Sequence, residues 1–137
     1  MLNINVATEG LKLIAMASRF TPRVANRLLK RVRDYSQMNN VPTIDASIVE
    51  GALKMLDIDN RGLEKTDRDI LFAIAEKFDG GPVGVKSIAA AISEEESTIE
   101  DVYEPYLLQI GFLARTPKGR VVTSHGLKHI GLTNTLL

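Results

Sequence analysis

Arg115, Lys118 and Arg120 crowd into one short stretch, and no acid lies anywhere in residues 111–123. Cations at that density suit the electrostatic capture of phosphate oxygens, which needs no reading of bases. They also suit a solvated surface with ordinary charge. Arg23 is a second candidate. It stands just behind Thr21-Pro22, an N-cap followed by a first helical proline. A helix start offers free backbone N–H groups and the positive end of a dipole, so an arginine there adds a bidentate donor to a place that already favours anions. An ordinary solvent arginine on a basic helix face fits the same residues.

Other reactive chemistries find little support. There is no Gly-x-x-x-x-Gly-Lys-Ser/Thr and no Gly-Lys pair, so no phosphate-cradling loop, and ATP hydrolysis by these residues alone is not expected. His125 and His129 share a helix face if the segment is helical, but no cysteine or nearby acid completes a metal set. Surface or packing histidines are the simpler account. Ser18, Ser97 and Ser124 lack the flanking glycines of a hydrolase nucleophile. Glu94-Glu95-Glu96 reads as negative charge at a helix start rather than a catalytic cluster.

The elements that must carry these residues are mostly helical. Val6, Leu11, Leu13, Ile14 and Ala17 give a helical apolar pattern over residues 6–18. A second helix runs from Pro22 to about Met38, with Val24, Leu28, Leu29, Val32 and Tyr35 on one face and Arg23, Arg27, Lys30, Arg31 and Arg33 on the other. A third spans Ala46 to Leu56, and the three make a small bundle. The polar stretch 57–62 is a domain boundary, dividing the chain into 1–62 and 63–137. Beyond it, Thr66 is placed as the cap of a helix through about Phe78, with Asp69 assisting its start. Val85–Ile92 is a short helix, and a further helix ends near Ile110. Pro105 inside that last pattern predicts a break or restart near Glu104. Phe112-Leu113 and Val121-Val122 then flank a turn marked by Pro117 and Gly119, a β-hairpin, and a final helix runs from Ser124 to about Ile130. Helix, helix, helix, hairpin is the order of a winged helix-turn-helix. The expected fold is therefore mainly α, a small helical bundle followed by a winged helix-turn-helix domain with one β-hairpin that carries the cations.

Composition fits a folded soluble chain, with 45% hydrophobic and 25% charged residues among 137. No apolar run approaches a membrane span, no secretory signal opens the chain, and with no cysteine there is no disulfide framework. A cytoplasmic, membrane-free setting is the expectation. The net charge is zero, yet residues 1–64 hold 9 basic and 7 acidic residues while 65–137 hold 8 and 10. A nucleic-acid-binding domain is usually basic. The acidic second half therefore confines any phosphate contact to the hairpin and predicts modest affinity.

Thr21-Pro22-Arg23-Val24-Ala25-Asn26-Arg27-Leu28-Leu29-Lys30-Arg31-Val32-Arg33-Asp34-Tyr35 closely resembles the lid segment of the RuvB family, AAA+ motors of Holliday-junction branch migration. Ala52–Leu56, Glu76–Gly84, Thr98–Leu107 and Gly111–Arg120 resemble later signatures of that family in the same order, so the likeness covers about Ile4 to Leu132. The resemblance implies the lid and winged helix of an ATP-dependent DNA helicase whose nucleotide-binding core, with ATP and Mg²⁺, is not among these residues. It implies that Arg23 is the sensor-2 arginine that contacts nucleotide phosphates, and that Arg115 and Arg120, with Lys118, meet DNA. It further implies duplex arms of Holliday junctions, RuvA and RuvC as partners, and a homohexamer when the core is present, with these residues monomeric alone. Phe20 and Asp79 stand where the family commonly has glycine, Glu96 where it often has a base, and Lys118 in place of arginine. The rival reading is a stand-alone winged-helix regulator or protein-docking module, which predicts a dimer and sequence preference.

Overall fold

A computed structural model describes residues 5–19, 21–41 and 43–131, so Phe20 lies outside the described residues. The chain divides into two compact units, residues 1–64 and 65–137.

In the first unit, strand β1 (Asn5–Val6) pairs in parallel with β2 (Thr43–Ile44). Between and after them come α1 (Thr8–Ala17), α2 (Pro22–Met38) and α3 (Ala46–Met55). The short strand pair takes Val6 out of the first helix. Thr21 caps α2 by accepting from the Val24 N–H at 3.3 Å, and Asp45 caps α3 by accepting from Ile48 at 3.0 Å. Ile14, Ala17, Leu28, Val32, Ile44, Val49, Ala52 and Leu53 form the core. Leu11 and Leu29, which periodicity assigns inward, are instead exposed, because each helix buries a narrower stripe than the apolar pattern allows. Gly51 lets the Tyr35 hydroxyl of α2 lie close to α3, where a Cβ would stand 2.6 Å from it and the ring would have to shift.

In the second unit, α4 (Lys65–Phe72) continues through a wide π-type turn, Ala73–Lys77. The helix starts one residue before Thr66, so Thr66 lies inside the helix rather than capping it. Asp69 lies a turn further in and pairs with Lys65 at 2.8 Å. Asp79 adopts φ 52°, a left-handed conformation that explains why a glycine suits this position. Next comes α5 (Val85–Ile92). A longer helix follows, built from α6 (Glu96–Thr98), a π segment (Ile99–Tyr103) and α7 (Glu104–Gln109). The restart expected near Glu104 is present, since a new α-helical segment begins at that residue, but Pro105 does not end the helix. The Glu104 N–H bonds to the Ile99 carbonyl, five residues back, and the widened turn carries the chain past the proline without ending the helix.

The hairpin pairs β3 (Leu113–Thr116) with β4 (Gly119–Val122), and α8 (Ser124–His129) follows with Thr123 as its cap. β4 also bridges Val83, whose N–H donates to Arg120 at 2.9 Å and whose carbonyl accepts from Arg120 at 2.7 Å. Gly119 makes this approach possible: its φ is 134° and a Cβ would fall 2.6 Å from the Val83 carbonyl carbon. The wing is thus pinned near its turn to the loop before α5. Ile70, Leu71, Ile74, Ile88, Ile99 and Leu107, with Leu113 and Val122 of the hairpin, are among the buried residues of this unit.

Candidate nucleic-acid interface

The antiparallel register pairs Leu113 with Val122, Ala114 with Val121, Arg115 with Arg120, and Thr116 with Gly119. Directly paired residues point to the same face of a two-stranded ribbon, so the two arginines stand side by side. Two like charges so placed repel unless something lies between them. What lies there is Glu104, from the first turn of α7. Its Oε2 accepts from Arg120 Nε at 2.9 Å and its Oε1 from Arg120 Nη2 at 3.2 Å. The same Oε1 also accepts from Arg115 Nη2.

Burial divides the two arginines. The Glu104 side chain is 1% exposed, Arg120 15% and Arg115 55%. Arg120 meets the carboxylate with two nitrogens in the planar fork that guanidinium and carboxylate share. Arg115 meets it with one and keeps the rest of its guanidinium at the surface. Lys118 lies apart from both, exposed in the two-residue turn with no ion pair among the described residues. The turn is held by Thr116, whose hydroxyl donates to the Gly119 carbonyl at 2.8 Å and accepts from the Lys118 N–H at 3.2 Å. The structure therefore brings Arg115 and Arg120 together around one acid and sets Lys118 at the tip.

Glu104 has no role in the sequence reading. In the sequence it stands only as an acid directly before a helical proline, inside the Thr98–Leu107 signature. Regular helical periodicity does not align it with Ile99, whereas the π turn buries both, each at 1% exposure.

The remaining candidates settle into simpler places. Arg23 is exposed at the second position of α2, whose first turn holds no acid. The Arg23 position is thus open to an anion and has no competing carboxylate on its own turn. His129 packs its ring on Phe112, with centroids 4.7 Å apart. Among the described residues no group of three His, Asp or Glu side chains is gathered to hold a metal. No described helix is long and apolar enough to cross a membrane.

A winged helix with a cationic hairpin, preceded by a helical unit that opens an arginine-bearing helix with Thr-Pro, defines the class: a lid followed in sequence by a winged helix. Residues 60–131 match the RuvB C-terminal winged helix domain, and residues 1–59 match the RuvB AAA lid domain. The chain belongs to the RuvB family. It is 52% identical over 133 residues to the Holliday junction branch migration complex subunit RuvB of Synechocystis, covering 97% of this chain and 37% of that protein. It is 51% identical over 132 residues to the same subunit of Pediococcus pentosaceus, covering 96% and 39%. The chain thus spans well under half the length of these curated relatives. The solved structure of the Thermotoga maritima RuvB Holliday junction branch migration motor superposes with a TM-score of 0.89 at 45% identity, covering 95% of this chain and 44% of that one. A lid matched over the first 59 residues also decides against a stand-alone regulator, which has no use for one.

Proposed function

We propose that these residues form the nucleotide-sensing lid and the DNA-contacting wing of an ATP-driven Holliday-junction branch-migration motor. The observation that carries this reading is the exposed pair Arg115 and Lys118 on a hairpin, in a chain matched to both RuvB domains in order. The wing meets duplex DNA through phosphates. Arg115 and Lys118 make the contact, while Arg120 supports it from behind by its bond to Glu104. The contact is independent of base sequence, because α6 and the π segment, where a winged helix would read a groove, carry Glu96, Glu100 and Asp101 and no basic residue.

Arg23 contacts the phosphates of ATP bound at a core outside these residues. When bound, the nucleotide with Mg²⁺ supplies the free energy of phosphoryl transfer. This chain adds a guanidinium at a helix start where anions are already favoured. A change in that contact moves the lid, and the winged helix that follows in sequence carries the motion to DNA as a rigid body. Duplex arms of a Holliday junction are the substrate, RuvA and RuvC act at the same junction, and the assembled motor is a hexameric ring working in the cytoplasm. Without the core these residues are monomeric.

The test is fluorescence anisotropy of a labelled duplex at two salt concentrations, comparing wild type with Arg115→Ala/Lys118→Ala. Weak binding that falls with salt and drops further in the double variant is expected. Equal binding by both proteins would discard the wing as the contact.

A further inference from the structure

We infer that Glu104 is a positioning residue for duplex contact: its buried carboxylate holds Arg115 in a phosphate-ready pose while Arg120 supplies a permanent counter-charge. This rests on the duplex reading above. Three observations lead to it. Both carboxylate oxygens are occupied by wing arginines, the carboxylate itself is 1% exposed, and the two arginines differ sharply in exposure, 15% against 55%.

A buried carboxylate is costly unless it is paired and hydrogen-bonded. Arg120 alone meets that need, with a two-point bond from a nearly buried side chain. Arg115 is therefore surplus to neutralisation, and the cluster of one acid and two bases carries one positive charge that emerges at the surface. A guanidinium has five N–H donors, and Arg115 gives one of its nitrogens to Glu104. The side chain is 55% exposed, which leaves the remaining donors accessible to a phosphate. A free surface arginine loses rotamer freedom when it grips a phosphate. One already tethered loses less, which lowers the cost of binding.

The sign of the effect separates positioning from plain charge. Glu104 is an acid beside a DNA-binding hairpin, so on charge alone Glu104→Gln should tighten duplex binding and steepen its salt dependence. Positioning predicts the reverse. With the carboxylate gone, Arg115 and Arg120 repel across the ribbon and Arg115 loses its tether.

The experiment is duplex anisotropy on the full chain with Glu104→Gln, Glu104→Asp, Arg115→Ala and the two double variants, each checked by circular dichroism and melting. Glu104→Gln and Glu104→Asp should each weaken binding roughly fivefold, and neither should weaken it further when Arg115 is already alanine. Folded Glu104 variants that bind as well as wild type, or more tightly, overturn the inference even if Arg115→Ala weakens binding. If Arg115→Ala/Lys118→Ala leaves binding unchanged, the duplex reading falls and takes the inference with it. Guanidinium NMR on the wild type decides the matter should the Glu104 variants melt too low. On adding duplex, Arg115 signals should shift while the Arg120 Nε–H stays slow to exchange. An Arg120 that shifts with Arg115 overturns the division between them.

Discussion

Arg120 gives two nitrogens to a buried carboxylate and is 15% exposed, whereas Arg115 gives one and is 55% exposed, and this separates them despite their matched places in the hairpin. Different variants should therefore fail in different ways. Arg115→Ala and Lys118→Ala should each lower the salt slope of duplex binding by about 0.9 for every phosphate left without its cation, with unchanged urea stability. Arg120→Ala leaves Glu104 with a single, half-exposed partner and should cost about 2–4 kcal/mol in urea unfolding. Arg23→Ala should leave stability within about 0.5 kcal/mol, because the side chain is exposed. In the assembled motor the same change should depress ATP hydrolysis, measured as phosphate release. The cations were legible from residue type and spacing. Which of them faces solvent was not, because that depends on Glu104, an acid remote in sequence that enters only through tertiary contact.

At the scale of elements, most of the chain could be read from its caps and periodicity. Thr21 with Pro22, the run Val85–Ile92, and the Pro117–Gly119 turn each carry a local signal strong enough to survive folding. Val6, Leu11, Leu29 and Thr66 depart from the local pattern one by one, whereas the place of Glu104 is hidden by a change in the helix period itself. The π segment Ile99–Tyr103 brings Glu104 inward with Ile99 and accommodates Pro105 without ending the helix. Packing sets that choice, and a fixed period of 3.6 does not reveal it. Two substitutions probe the elements directly. Gly119→Ala forces a side chain into a positive φ and against the Val83 backbone, and should lower stability by about 2–4 kcal/mol in thermal or urea unfolding. Ile44→Ala empties a fully buried site under the β1–β2 pair and should cost about 2–5 kcal/mol by the same measurement.

At the scale of the whole molecule, the chain is two units, each with its own core. The winged-helix unit should fold without the lid. Residues 65–137 expressed alone should give a cooperative melt and keep the duplex affinity of the full chain, because every wing interaction named above lies within that unit. Loss of structure on removing residues 1–64 would show that the units depend on each other. The net charge of the second half was informative on this point, since an acidic domain with a basic hairpin leaves the hairpin as the place for phosphates. The extra residue in the turn before Glu104 has its own evolutionary consequence. An α-helix advances about 100° per residue, so deleting one residue from 99–103 would swing the carboxylate to another flank and strand two arginines without a counter-ion. Relatives with an uninterrupted helix at this place must draw that negative charge from a different segment or carry fewer bases on the wing. Helix length and wing composition should therefore drift together across the family.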